Sequence, residues 1–137
     1  MNLGTEVALI LITSIAAGTL LPRLLMRILG RGATVVFGGA GDTITLYRYA
    51  KIAGDVEPSG WWTTRQAASR AEAARLTGVP QSECLFEQRV TVNAAPSKYE
   101  PFFESKTARA VGDSLVEEFK NKVLIPRTAI QVRPMPE

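Results

Sequence analysis

The stretch from 7 to 26, VALILITSIAAGTLLPRLLM, decides how the chain is read. It carries no charge as far as Pro22 and then a single Arg23. Twenty residues of helix rise about 30 Å at about 1.5 Å each, the thickness of a bilayer's hydrocarbon core. The ten Val, Leu and Ile residues between Val7 and Leu25 favour insertion by about 3 to 6 kcal/mol, at about 0.3 to 0.6 each. This spacing predicts one transmembrane α-helix within 1–29. Two other readings compete. A cleaved secretory signal has Ser14-Ile15-Ala16 as an imitation of a cleavage site, but only Glu6 stands where a basic stretch belongs. A buried core helix would be shorter or amphipathic, without basic residues gathered at one end.

The flanks set the expected orientation. Arg23, Arg27 and Arg31 stand four apart, so a helix would present them together to lipid headgroups, with a structural phospholipid as the one associated cofactor. The C-terminal side then faces the electrically negative compartment. That is the matrix side of a mitochondrial inner membrane or, alternatively, the cytoplasmic side of a bacterial one. Gly4 with Ala8, and Ser14 with Gly18, repeat a spacing of four, which lines one helix face with small residues and marks it for packing against neighbouring spans.

Composition narrows the chemistry. The 16 Lys and Arg stand against 13 Asp and Glu, with no basic run or stripe interleaved with aromatics, so the phosphate-binding footprint of a nucleic-acid partner is missing. One cysteine, Cys84, excludes an internal disulfide and a cysteine-rich metal site. No histidine is present, which removes the usual general base and the commonest metal ligand. The acids lie mostly beside opposite charges, as in Glu117-Glu118-Phe119-Lys120, the pattern of a solvated face. No catalytic, cofactor-binding or metal residue is assigned, and no small-molecule substrate is expected. The open exception is a carboxylate pair of Asp42 with Asp55 or Glu57.

Beyond the apolar run, 30–60 reads as a Gly-rich turn and short extended segments. Gly38-Gly39-Ala40-Gly41 completes neither a Walker loop nor a dinucleotide fingerprint, so it is read as a turn between extended pieces at Thr34 to Phe37 and Thr43 to Tyr47. The region 61–125 reads as helix, strand, helix. The first helix is expected from about Thr64 to Leu76, closed by Gly78 and Pro80. A strand follows at Leu85 to Val92, then a loop over Asn93 to Pro101. The second helix is expected from about Ser105 to Lys122, where Ala108, Val111, Leu115 and Phe119 recur at three or four. Residues 126–137, with Pro126, Pro134 and Pro136, read as an extended tail. Trp61, Trp62, Leu115 and Phe119 are the candidate partner contacts, the two tryptophans serving equally well as a small domain's own core.

The first 54 residues resemble the single-pass accessory subunits of mitochondrial respiratory complex I of the MWFE type. The resemblance rests on Leu21-Pro22, Arg27, Gly30-Arg31-Gly32, Phe37-Gly38 and Leu46-Tyr47-Arg48 leading to Lys51-Ile52-Ala53-Gly54, and it ends there. It implies a structural role beside the membrane arm, with no redox centre of the chain's own. The expected fold is therefore one N-terminal transmembrane helix followed by a small, irregular α+β extramembrane tail. The expected function is a non-catalytic accessory subunit of a respiratory-chain complex in the mitochondrial inner membrane, with other subunits and the bilayer as partners. The alternative is a single-pass, membrane-tethered binding module with an independent C-terminal domain.

Overall fold

A computed structural model describes residues 9–12, 34–106, 109–111 and 114–137. The described strands are β1 (Leu9–Ile12), β2 (Thr34–Phe37), β3 (Thr43–Ala50), β4 (Trp61–Thr63), β5 (Phe86–Asn93), β6 (Phe103–Ser105), β7 (Arg109–Val111), β8 (Ser114–Val116), β9 (Glu118–Asn121) and β10 (Gln131–Pro134). Among the described residues there are two short α-helices, α1 (Arg70–Thr77) and α2 (Pro96–Tyr99). Eight strands form one sheet in the order β1-β2-β5-β3-β4-β9-β6, with β10 also on β5, and β7 and β8 form a separate hairpin. The β1–β2 and β2–β5 pairs are parallel, and the other pairs are antiparallel.

The membrane-helix expectation is overturned here. Leu9–Ile12 is a strand, in register with Thr34–Phe37, and among the described residues no helix is long and apolar enough to cross a membrane. The single-pass fold and the inner-membrane location derived from it fall with that helix. The physical cause is an ambiguity of apolar runs: a strand in a parallel pair reads as continuous Val, Ile and Leu, which hydropathy counts in the same way as a span. Gly4, Ala8, Ser14, Gly18, Arg23, Arg27 and Arg31 lie outside the described residues.

β5 is the centre of the sheet. One of its edges pairs with β3 along eight rungs, from Thr43↔Asn93 to Ala50↔Phe86. Its other edge is shared, with β2 at Thr91 and Val92 and β10 at Phe86 to Arg89. Alternation along β3 and β5 sorts side chains to two faces. Leu46, Val90 and Val92 enter a core with Phe37, Trp62, Phe102, Phe103 and Phe119. Tyr49 enters a smaller core beneath α1 with Ala67, Ala73, Leu76, Cys84 and Met135. The main core is built from aromatic edges: Phe37 meets Phe102 at 5.2 Å and Phe103 at 6.0 Å, Trp62 meets Phe103 at 5.9 Å, and Tyr99 meets Phe119 at 5.4 Å, all T-shaped. Each such pair contributes about 0.5 to 1.5 kcal/mol beyond its buried area.

Two further helical expectations change. α1 starts six residues later than the sequence implies, because Ser69 is its cap: the Ser69 hydroxyl accepts from the Glu72 N–H at 3.2 Å. Its end is where expected, at Gly78, whose φ of 80° is left-handed. The expected helix over Ser105 to Lys122 is instead four strand segments, with Arg109↔Val116 pairing in the hairpin and Phe119↔Trp62 in the main sheet. Its three-to-four spacing of apolar residues was a coincidence of short strands and turns, and the Val, Leu and Phe residues carrying it suit strands well. The segment from Pro126 onward joins the chain's own sheet, through a turn at Arg127–Ala129 and then β10.

The Gly-rich turn is explained by backbone crowding. A Cβ at Gly38, where φ is +90°, would lie 2.6 Å from the Lys98 carbonyl oxygen. Asn93 holds the same turn by donating from Nδ2 to the Ala40 carbonyl at 2.6 Å, while its Oδ1 accepts from the Ala95 N–H at 2.9 Å. Gly38→Ala is therefore expected to lower stability by at least about 2 kcal/mol, through left-handed strain and the clash together. Urea unfolding of the variant checks this; an unchanged midpoint contradicts it.

The one fully buried carboxylate is Glu87 among the described residues. It sits in a row across three strands, between Arg133 on β10 and Tyr49 on β3. Arg133 donates through Nε at 2.8 Å and through NH2 at 3.1 Å, the Tyr49 hydroxyl donates at 3.1 Å, and Gln66 Nε2 donates at 3.2 Å. Burial pushes the Glu87 carboxyl up, but the hydrogen bonds from Arg133, Gln66 and Tyr49 outweigh it, so the group stays below its ordinary value. A depressed folded value contributes stability that is complete above the unfolded value of about 4.3 and is lost as pH falls through the folded one. Glu87→Gln should cost on the order of 2 to 4 kcal/mol at neutral pH, since Arg133 loses its counter-charge. It should also flatten the loss of stability as pH falls below about 5. Parallel stability–pH curves for the two proteins would show that Glu87 does not carry this dependence.

Candidate functional site

β3 and β4 touch at one rung, Tyr47↔Thr63. Continuing that register would set Arg48 opposite Trp62 and Tyr49 opposite Trp61, but the strands part there. β4 is held on its far side instead, by three rungs to β9. A cavity of about 540 Å³ occupies the parting. Tyr47, Arg48 and Tyr49 line it from β3, Trp61, Trp62 and Thr63 from β4, and Glu118 from β9. Leu76, Thr77 and Val79, at the end of α1, and the turn at Ser59-Gly60 complete the lining.

The two tryptophans differ in role because adjacent residues of a strand point to opposite faces. Trp62 is 2% exposed, and its Nε1 donates to the Asn121 side-chain oxygen at 3.0 Å. Asn121 in turn donates to the Glu57 and Val123 carbonyls at 2.9 and 2.8 Å, which pins the turn before β4 to the end of β9. Trp61 is 51% exposed, with the Lys120 ammonium 5.5 Å from its ring centre. Ser59, on the rim, is the one described non-glycine residue with positive φ, at 79°. It follows Pro58 as the third residue of a tight turn, a place glycine usually takes. Gly60 has no room for a side chain: a Cβ would lie 2.5 Å from Val56 Cγ1 and 2.7 Å from Asn121 Oδ1, with Arg48 Nε at 3.5 Å.

Arg48 is held from behind. Its NH1 donates to Gln88 Oε1 at 2.8 Å, across a rung of the β3–β5 ladder. Gln88 is fully buried and spends its Nε2 on the Gly54 carbonyl at 2.8 Å, which turns its oxygen toward Arg48. Burial lowers the Arg48 guanidinium from its ordinary value. Among the described residues, no carboxylate lies within ion-pair distance of Arg48.

Of the residues singled out from the sequence, Trp61 and Trp62 are brought together in the cleft lining, while Phe119 lies in the main core. Leu115 falls on β8, and its side chain lies outside the described ones. Asp55 accepts the Arg127 N–H at 2.6 Å through its carboxylate, and the backbone carbonyl of Asp42 accepts the Ala94 N–H at 2.7 Å. Cys84 is buried, its thiol directed at the Val79 and Pro80 carbonyls and pushed up by burial, the condition of an unreactive thiol. Tyr47, Arg48, Gln88 and Thr77 were missed. The available signal was Arg48 itself: it continues the face of Ile44 and Leu46 in β3, where an apolar residue is due. Compared with protein-family models, curated proteins and solved structures, the chain matches none.

Proposed function

We propose that this chain is a non-catalytic binding module whose cleft between β3 and β4 receives a small, ring-bearing ligand. The observation that carries the reading is a half-exposed tryptophan, Trp61, on the wall of a 540 Å³ cavity whose other lining includes Tyr47 and Tyr49. That volume falls within the range of about 300 to 1,000 Å³ in which small molecules are held, and apolar walls with a few fixed polar groups are the common build of such sites. An indole half in water has roughly 100 Å² left to bury, a gain of about 2 to 3 kcal/mol on ligand contact. The strained Ser59 backbone on the rim supports the same assignment, because such conformations gather at ligand clamps. The absence of histidine supports a role in binding rather than in turnover. The accessory-subunit reading drew its support from a membrane helix, and β1 stands in part of that stretch.

A nuclear magnetic resonance screen with flat aromatic fragments tests the proposal. Binders should shift the Trp61 indole N–H and the backbone amides of Tyr47 and Thr77, and Trp61→Ala should weaken them about tenfold or more. Shifts that gather instead in the shallow hollow at Thr128–Gln131, indifferent to Trp61→Ala, would overturn it.

A further inference from the structure

Resting on that reading of the cleft, we propose that its ligand is a flat heterocycle that stacks on Trp61 and turns an edge of two adjacent N–H donors to the carboxylate of Glu118. Register places both groups on one face of the sheet. Thr63 pairs with Tyr47 on one side and with Glu118 on the other, so Tyr47, Thr63 and Glu118 form a row across β3, β4 and β9. Trp61 stands two residues from Thr63, and Tyr49 two from Tyr47, which keeps both on the face of that row. Arg48 and Trp62 alternate to the opposite face, where Arg48 is held by Gln88 Oε1 at 2.8 Å and Trp62 joins the main core. Among the described residues, Glu118 is therefore the one charged side chain that the cavity lining carries on the face of Trp61. It lies diagonal to Trp61 on the neighbouring strand, a separation of about 7 Å that a bicyclic ring laid on the indole can bridge.

The polar groups of that face narrow the chemistry of the ligand. The Thr77 hydroxyl is spent inside the fold: it donates to the Ala73 carbonyl at 2.7 Å and accepts from the Val79 N–H at 3.1 Å. Thr63 Oγ1 accepts the Arg65 N–H at 3.3 Å. Lys120 comes to the indole from β9, on the side of β4 away from β3, and does not line the cavity. A ring that already holds a cation gains less from a second one, so charge attraction to the indole does not select the ligand. Glu118 does. An ionised carboxylate only accepts hydrogen bonds, and it has about four acceptor sites, so the partner that Glu118 has within the fold leaves room for another. A carboxylate or phosphate on the ligand's near edge would be repelled, and a ring without donors would strip water from Glu118 and return nothing. Two parallel N–H groups on one edge of a flat ring meet both oxygens side by side, as an arginine fork meets a carboxylate.

The test uses the full chain and three neutral bicyclic probes, followed by the indole N–H resonances of Trp61 and Trp62. 2-Aminoquinazolin-4-one carries the donor pair, its 3-methyl derivative has one ring donor blocked, and quinazolin-4-one lacks the amino group. The first should bind at least about tenfold more tightly than either of the others, the difference expected for a hydrogen bond to a charged group. This comparison needs no variant and so does not depend on how a substitution folds. Glu118→Gln should abolish the preference while leaving the affinity for quinazolin-4-one unchanged, because an amide offers one acceptor where the carboxylate offers two. A preference that survives Glu118→Gln overturns the assignment to that carboxylate. Equal binding of all three probes, each weakened by Trp61→Ala, overturns the donor-edge assignment and leaves the cleft as a ligand site. If no probe moves the Trp61 indole at its solubility limit, the cleft reading fails and the donor-edge assignment fails with it.

Discussion

A carboxylate with no access to water must be answered from inside the fold, and Glu87 is answered from three places at once: Arg133 on β10, Tyr49 on β3, and Gln66 in the segment leading to α1. These partners are far apart in sequence and meet only when β10, β5 and β3 are in register. A slip of one residue in either pairing would turn Glu87 or its partners to the opposite face, into the aromatic core. The apolar contacts supply most of the drive to collapse, but they tolerate sliding; the charged row does not. Register, and through it everything placed by register, depends on this one group. The Tyr49 hydroxyl extends the same tie by accepting the Ala67 N–H at 2.6 Å, which fixes the approach to α1.

The cleft is a by-product of how the sheet divides its loyalties. β3 is committed along its whole length to β5, and β4 to β9, so a single rung is the whole of the β3–β4 ladder. Beyond it the two strands part, and residues of both line the cavity. The polar rows that start at this end, Tyr49–Glu87–Arg133 on one face and Arg48–Gln88 on the other, are both anchored in β5. The same strand that enforces register therefore holds Arg48 at a set height, while α1 closes the side of the cleft through Thr77 and Val79.

What was legible in the sequence is what local chemistry decides. The extended pieces around the glycine turn, the strand near Leu85 to Val92 and the stop of α1 at Gly78 all follow from alternation and positive-φ demands. The turn at Gly38 to Gly41 does not, however, close a hairpin: β5 lies between β2 and β3, an insertion that no pattern within fifteen residues can reveal. Leu9–Ile12 was misread because four apolar residues are equally at home in a span and in a parallel strand. Around Val111 to Phe119 the helical period arose from several short strands read as one element. The cleft was half legible. Trp61 and Trp62 drew attention as large aromatics, whereas Arg48 needs its cross-strand neighbour Gln88, forty residues on, to be understood.

The shared edge of β5 also orders events in time. Its upper half is completed by β2, made fifty residues earlier, but its lower half waits for β10, made some forty residues later. During synthesis the chain thus emerges with β3 and β5 able to pair while Glu87 still lacks Arg133, a bare carboxylate beside an open strand edge. Such an intermediate is slow to commit, since distant pairings carry the largest closure entropy, and its free edge invites pairing with another nascent chain.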